Sequence, residues 1–180
     1  MAATVILNRI TGTAASSTES AITDINTRAN AYDGHSTGDS TYPIAIPSSG
    51  TNYSYWVSTQ LNITANTGTD TIDNIKWYTD GAAGFGTDIT AKVSAGNTYD
   101  QAVGTEGTSG TELTTGNNTG LAASPSDAFA YTSGATLSLT GSTTGTGGIG
   151  QLAVWQLGIG TGASIGATSS ESFSFIYDEA

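Results

Sequence analysis

Short stretches of alternating hydrophobic and polar residues recur along the chain, and they predict β-strands. The clearest alternation covers residues 53–65, where one parity carries Tyr53, Tyr55, Val57, Leu61 and Ile63. The other parity is mostly polar, and Trp56 interrupts it. A period of two is what a strand with one buried face requires. We therefore predict a half-buried strand over these residues.

The same pattern, with turn signals between the segments, predicts further strands at residues 2–10, 71–79, 88–93, 98–103, 128–131, 135–140, 151–159 and 171–178. Residues 151–159 are almost continuously apolar, which is typical of a central strand. In residues 171–178, Phe173, Phe175 and Tyr177 alternate with polar residues, and Ile176 departs from the polar parity. Eight or nine short strands of this kind predict an all-β protein with a single antiparallel β-sandwich.

The first 50 residues have a different character. Residues 11–31 are small and polar, and the loose spacing of Ala21, Ile22, Ile25 and Ala29 predicts one or two helical turns. Residues 42–47 are extended because Pro43 and Pro47 fix the backbone, and prolines restrict such a segment to a sheet edge or an arm. We therefore predict an N-terminal strand and extended arm at 1–50 and the sandwich at 51–180. Residues 104–120 are expected to form a long loop rich in threonine and glycine.

The composition excludes several functional classes. Thr, Ser and Gly make up 77 of the 180 residues, and only 11% of residues are charged. The four basic residues (Arg9, Arg28, Lys76 and Lys92) stand against fifteen acidic ones, so no surface for binding nucleic acid is expected. No apolar run is long enough to span a membrane, and no signal peptide is visible. With no cysteine, disulfides, thiolate metal sites and cysteine nucleophiles are excluded.

Two glycine motifs match catalytic patterns only superficially. Residues 145–150 satisfy G-x-G-x-x-G, but the segment that follows is a predicted strand, whereas a dinucleotide site needs a helix there. Residues 162–166 satisfy G-x-S-x-G, but the only histidine, His35, precedes the serine instead of following it. We therefore interpret the first match as a chance one in a chain with 24 glycines, and we expect a turn between two strands at residues 162–166. We predict that the protein is not an enzyme, and we assign no catalytic, cofactor-binding or metal-binding residue.

Whether loop carboxylates bind Ca²⁺ is left open by the sequence. Asp33 with Asp39, or Asp80 with Asp88, could supply oxygen ligands, although neither pair has the spacing of an EF-hand. His35 lies in the same polar stretch as Asp33, which is read first as a turn.

Tryptophans and N-glycosylation sequons are the sequence features that bear on carbohydrate. Trp56, Trp77 and Trp155 could form a sugar-binding platform, but they lie within strand patterns and have apolar neighbours, which favours core packing. Asn52, Asn62 and Asn117 each begin an N-x-S/T sequon. The chain is so rich in Ser and Thr that about three sequons are expected by chance, so glycosylation is left open.

Two segments resemble known families. Residues 151–178, from Gln-Leu-Ala-Val-Trp-Gln-Leu-Gly-Ile-Gly to Ser-Phe-Ser-Phe-Ile-Tyr-Asp, resemble the last hairpin of immunoglobulin-like sandwiches. Such domains recur in virion proteins of tailed phages and archaeal viruses, including head-decoration and tail proteins. Ala31-Tyr32-Asp33-Gly34 with Ser40-Thr41-Tyr42 is similar to a stretch of discoidin-like jelly rolls, many of which bind sugars. That second resemblance implies a Ca²⁺ or ligand site near Asp33 and Asp39.

These observations lead to a functional hypothesis. We expect a non-enzymatic structural protein of a virion, most simply a capsid decoration (cement) protein, or else a tail tube or tail-associated protein. Its partners would be further copies of itself and other virion proteins such as a major capsid protein, with the N-terminal arm contacting a neighbour. The alternative is an extracellular adhesin, filament subunit or carbohydrate-binding module at the cell surface.

Overall fold

A computed structural model describes residues 2–22, 27–34, 41–67 and 70–180. Within these ranges the chain forms twelve strands and one turn of 3₁₀ helix. The strands are β1 (Thr4–Thr11), β2 (Thr18–Ala21), β3 (Thr51–Tyr53), β4 (Val57–Ala65), β5 (Ile72–Tyr78), β6 (Ile89–Gly96), β7 (Gly104–Thr105), β8 (Ser109–Gly110), β9 (Ser126–Asp127), β10 (Leu137–Ser138), β11 (Gly147–Gly160) and β12 (Ser174–Glu179). The 3₁₀ turn covers Ala128–Ala130.

Strand β11 is the centre of the larger sheet, which has nine strands in the described part of the chain. One edge of β11 pairs with β4 and then with β3, and the other edge pairs with β6. The sheet continues from β4 to β1 and β2, from β3 to β8 and β7, and from β6 to β9. Every pairing is antiparallel.

A second sheet, in the order β10-β5-β12, packs against one face of the larger sheet. The shared core contains Val57, Leu61, Ile63, Ile72, Ile75, Trp77, Val93, Trp155, Leu157 and Ile159. Phe173, just before β12, lies edge-on to both Trp77 and Trp155, with ring centroids 5.0 Å and 4.9 Å away. The predicted all-β antiparallel sandwich is therefore confirmed, while an immunoglobulin-like and a jelly-roll topology both stay open.

The opposite face of β11 is also buried, under irregular segments of the chain. Leu152 and Val154 pack there against Trp56 and Leu113, together with Tyr55, Ile10, Ala31 and Ala102. Because both faces are covered, successive residues of β11 are apolar instead of alternating. This explains the continuous hydrophobic run that marked residues 151–159 as a central strand.

Along β5, the residues that face the core change from even-numbered to odd-numbered positions at Asn74. Ile72 is buried, and so are Ile75 and Trp77, which lie on the opposite parity. Asn74 has a φ of 48°, and the pairing with β12 shifts by one residue at this point. The extra residue is a β-bulge, which turns both sets of side chains toward the same core.

Two predicted strands are wrong. Residues 98–103 are irregular, because the side chains of Tyr99, Asp100 and Gln101 bond to other loops. Residues 128–131 begin with the 3₁₀ turn, because the Asp127 carboxylate accepts a hydrogen bond from the Phe129 amide at 3.0 Å. A side chain that caps its own following turn competes with strand pairing.

The predicted strand at 53–65 is interrupted at residues 54–56. The Ser54 hydroxyl accepts a hydrogen bond from the Leu157 amide, and the Ser54 amide donates to the Leu157 carbonyl. The Tyr55 amide donates to the Asn30 carbonyl instead of to β11. The chain therefore leaves the ladder after β3 and rejoins it at β4.

The N-terminal strand pairs within its own chain. β1 lies between β2 and β4 in the larger sheet, with its pairing to β4 running from Thr4 to Ile10. The helical turns expected in residues 11–31 are not formed in the described residues, where β2 occupies 18–21; residues 23–26 lie outside them. Residues 42–47 belong to no strand, and the Ala45 amide donates to the Thr108 carbonyl.

The expected hairpin at residues 151–178 is also wrong. β11 belongs to the larger sheet, whereas β12 pairs with β5 in the smaller one. The glycine-rich connection over residues 161–173 therefore crosses from one layer of the sandwich to the other.

Candidate functional sites

A partly buried polar cluster links three segments near Asp33. One carboxylate oxygen of Asp33 accepts hydrogen bonds from the Gly12 amide at 3.0 Å and from the Gln101 side chain at 3.1 Å. The Tyr99 hydroxyl donates to the Gly12 carbonyl at 2.7 Å. Asp33 therefore anchors the turn after β1 to the irregular segment at 97–103.

Arg9 supplies the positive charge of this cluster. Its side chain is 1% exposed, and one terminal nitrogen donates to Thr27 Oγ1 at 2.9 Å and to the Arg28 carbonyl at 2.7 Å. Burial lowers the pKa of Arg9 to about 10, and the opposing attraction of Asp33 only partly offsets this. Arg9 is therefore a cation at neutral pH, although its Nε and Nη2 have no hydrogen-bond partner among the described residues.

Burial is also the largest influence on the pKa values of Asp33 and Tyr99, the two acidic groups near Arg9. It raises the pKa of Asp33, and the bonds from Gly12 and Gln101 and the charge of Arg9 do not fully compensate. The pKa of Tyr99 is raised by burial and by the nearby Asp33 carboxylate. This arrangement holds loops on the sheet through the hydrogen bonds of Asp33, Tyr99 and one terminal nitrogen of Arg9.

The candidate Ca²⁺ carboxylates are engaged in local structure. Asp80 accepts a hydrogen bond from the Ala82 amide, and Asp88, with a φ of 56°, accepts one from the Gly162 amide at 2.8 Å. Asp39 and His35 lie outside the described residues. Among the residues that are described, no group of three or more His, Cys, Asp or Glu side chains could hold a metal ion.

The three tryptophans belong to the core, as the sequence favoured. Trp77 and Trp155 lie between the two sheets, and Trp56 lies on the other face of the larger sheet. All three are at most 5% exposed. Trp56 also donates a hydrogen bond from its indole nitrogen to the Asp100 carbonyl. A sugar-stacking platform built from these side chains is therefore excluded.

Neither glycine motif forms a catalytic turn. Residues 147–150 are the first four residues of β11 itself, and the strand continues after the motif where a dinucleotide site would need a helix. Residues 162–166 form an exposed loop in which Ser164 is exposed and Ile165 is 97% exposed. The first motif therefore lies mostly within a strand, whereas residues 162–166 lie in the connection between β11 and β12, as the sequence predicted.

One open groove lies at the end of the sandwich where β11 bulges. It has a volume of about 360 Å³ and is lined by Asn97, residues 140–143 and residues 148–151. Gln151 crosses it, donating to Asn97 Oδ1 at 2.7 Å and accepting from the Thr140 amide at 2.9 Å. The lining offers hydroxyl, amide and backbone groups and no aromatic ring or charged side chain.

The outer surface is poor in charge and especially poor in cations. Arg9 is buried and Lys92 forms an ion pair with Glu112 at 2.8 Å. This leaves Arg28 and Lys76 as the basic residues without a described ion pair. The 19 charged residues share a solvent-accessible surface of 8423 Å², close to the roughly 8,000 Å² expected for one domain of this mass. Most of that surface therefore consists of hydroxyl groups, glycine backbone and alanine.

Two buried polar residues were missed by the sequence analysis. Arg9 falls inside a strand pattern with nothing to mark it as buried. Gln156, 1% exposed, bonds with its side-chain amide to Ser54, Thr111 and Leu113. The available signal was a single glutamine within an apolar run, which indicates a buried partner for its amide.

Comparison with known proteins gives no relative for this chain. No family model matches it, no curated protein matches it, and no solved structure matches it. Within the described residues, no helix is both long and apolar enough to cross a membrane.

Proposed function

We propose that this chain is a non-enzymatic structural protein of a virion, with capsid decoration as its first role and a tail position as the alternative. The observation that carries the proposal is the outside of the sandwich: a surface of hydroxyls and glycine backbone with few charges. Few charged groups would have to be desolvated where such a surface meets another copy, which suits a molecule packed against others.

The hydrogen bonds that loop carboxylates accept from the backbone support the same proposal. Asp33, Asp80 and Asp88, the described carboxylates singled out as candidate ligands, each accept backbone hydrogen bonds that fix loops. A subunit of a shell or tube needs loops held in one geometry, because each loop must meet a neighbour in the same way at every position. Contacts that are weak individually then add through repetition.

A second candidate, a cell-surface filament subunit or carbohydrate-binding module, rests on the groove beside Gln151. Its hydroxyl and amide lining could bond sugar hydroxyls, but sugar sites usually add an aromatic ring, and none lines this groove. We therefore place this candidate second.

Immunogold electron microscopy of the source culture tests the proposal. Antibodies against the purified chain are expected to label released virus particles at a regular spacing on the head or the tail. Antibody preabsorbed with the chain is the control. Labelling of cell surfaces or filaments alone would overturn the virion role, and so would particles that carry no label.

A further inference from the structure

Strand β12 ends the smaller sheet with an unpaired edge. It pairs with β5 on one side, and no described strand lies on its other side. With six residues it is the longest edge strand of the described structure; β2 has four, and β7, β9 and β10 have two each. A row of unpaired backbone groups is a template for another strand.

The direction of the unpaired groups follows from the pairing with β5. Ala180 exchanges both backbone hydrogen bonds with Thr71, so Ala180 faces β5. Alternate residues of an antiparallel strand direct their N–H and C=O groups to opposite edges. The amides and carbonyls of Phe175, Tyr177 and Glu179 therefore point away from β5.

The side chains of β12 alternate between the core and the outer face of the smaller sheet. Phe175 and Tyr177 pack against the core, whereas Ile176 is 41% exposed on the outer face. Ile176 is the residue that broke the polar parity of the sequence pattern. A large exposed aliphatic residue in the middle of an unpaired edge strand is what an intermolecular sheet contact would bury.

We infer that β12 pairs antiparallel with β12 of a second copy of this chain, about a two-fold axis at Ile176. In this register the two Ile176 side chains meet on the axis, and Phe175 lies opposite Tyr177 of the second copy, joined by backbone hydrogen bonds. Asp178 lies opposite Ser174 of the second copy. The two smaller sheets become one continuous sheet of six strands.

Apolar pairing and charge together select this register over its neighbours. Moving the axis to Phe175 places Ile176 opposite a serine, Ser174, and loses the pair of isoleucines. Moving the axis to Tyr177 places Ile176 opposite an aspartate, and moving it to Asp178 places two aspartates opposite each other. Like charges directly opposite in a sheet are destabilising, and apolar pairs are favourable. The register centred on Ile176 joins the apolar residues and keeps the acidic ends apart.

This inference rests on the proposed assembly role and adds an interface to it. One pair of six-residue strands buries less than the roughly 1,200 Å² of a stable interface. The contact is therefore weak in isolation and is strengthened by repetition in an assembly. A covalent trap suits such a contact better than an affinity measurement.

The absence of cysteine makes the trap specific. Ile176→Cys in the full chain places two thiols on the axis, at a non-hydrogen-bonded position where Cα atoms are about 4.5 Å apart. That separation lies within the disulfide range of about 4.4–6.8 Å. Ile165→Cys is the matched control, since Ile165 is the same residue type in an exposed loop. Both substitutions are at exposed positions, and circular dichroism verifies that each variant folds.

Under mild oxidation, Ile176→Cys is expected to form covalent dimer about tenfold faster than Ile165→Cys, because the contact raises the effective thiol concentration. A mixture of Ser174→Cys and Asp178→Cys, with one variant carrying a size tag, is expected to give mainly the mixed dimer. Equal rates for Ile176→Cys and Ile165→Cys would overturn the pairing, and excess self-dimer of Asp178→Cys would overturn the register.

Light scattering on the unmodified chain separates the two possible failures. If the chain assembles but Ile176→Cys reacts no faster than the control, the β12 contact is wrong and the assembly role stands. If the chain is monomeric at every concentration and both variants react slowly, the assembly role fails together with the contact.

Discussion

Buried polar side chains fix the irregular segments that cover the second face of the larger sheet. Gln156 bonds to the backbone of Ser54, Thr111 and Leu113, and Asp33 joins the turn after β1 to the segment at 97–103. In each case a side chain takes over hydrogen bonds that a strand partner would otherwise make. Removing one of them leaves buried backbone groups unsatisfied, which is costly.

Gln156→Leu is expected to lower the free energy of unfolding by about 2–4 kcal/mol. The substitution leaves the Leu113 amide and the carbonyls of Ser54 and Thr111 without their bonds from Gln156. Gln151→Leu is the matched control, because its bonds are exposed and their loss should cost less than about 1 kcal/mol. Urea denaturation of both variants measures the difference, and equal losses would contradict the assigned role of Gln156.

Asp33→Asn is expected to flatten the pH dependence of stability in the acid range. The pKa of Asp33 is raised in the folded state above its ordinary value of 3.8, mainly by burial. As the pH rises from 3.8 toward the folded-state pKa, the unfolded chain loses this proton first, so Asp33 makes stability fall with pH. Asparagine can still accept the Gly12 hydrogen bond but cannot ionise.

Denaturant unfolding of wild type and Asp33→Asn between pH 3 and pH 7 tests whether Asp33 makes the free energy of unfolding fall as the pH rises. The difference in unfolding free energy between the variant and wild type should shift in favour of the variant as the pH rises. Asp80→Asn, at an exposed turn, is the control for changes in overall charge. A difference that is constant across this pH range would contradict the argument.

At the scale of elements, β1 is part of the sandwich. It pairs with β4 over seven register positions, and its residues Asn8, Arg9 and Ile10 are buried. The first strand of the predicted N-terminal segment at 1–50 therefore belongs to the larger sheet of the sandwich.

Deleting residues 2–12 is therefore expected to abolish the cooperative thermal transition of the sandwich. The deletion exposes the long edge of β4 and removes the cation of the Arg9–Asp33 cluster. Circular dichroism melting of the deleted chain tests this. A melting temperature within a few degrees of the full chain would show that β1 is dispensable.

Much of the fold could be predicted because strand periodicity depends on local sequence. The core positions of β4 and the central place of β11 followed directly from alternation and from a continuous apolar run. The errors at 98–103 and 128–131 arose where side chains such as Asp127 bond to nearby backbone, which hydrophobic alternation does not register. The layer change between β11 and β12 depends on distant contacts, so sequence pattern could not reveal it.

The candidate sites were less predictable than the fold. Asp33 was singled out as a possible ligand, but its role as an anchor depends on Gly12 and Gln101, which are distant in sequence. Arg9 gave no signal, because its burial is set by segments that fold over it. Ile176 did give a signal in the sequence. It is an isoleucine among the polar, outward-facing positions of an edge strand, where its own chain cannot bury it.

At the scale of the whole molecule, the net charge of −11 opposes association even though charges are sparse. Cations that could neutralise a neighbour are few, because Arg9 is buried and Lys92 is paired with Glu112. Association of identical copies must therefore overcome a general repulsion. Salt weakens that repulsion, since the screening length falls from about 30 Å at 0.01 M to about 8 Å at physiological ionic strength.

Self-association is accordingly expected to strengthen as salt is added. Sedimentation velocity across a series of sodium chloride concentrations measures this, with the weight-average sedimentation coefficient rising with salt at constant protein concentration. Association that weakens on adding salt would indicate that contacts between opposite charges hold the copies together.

The central claim is that this chain works as a repeated subunit, and the mass of the native species tests it most directly. Light scattering coupled to size exclusion, with electron microscopy of the same fractions, gives mass and shape together. The account predicts a defined ring, tube or array whose mass is a multiple of 18.1 kDa. A uniform 18.1 kDa monomer at all protein and salt concentrations would contradict it.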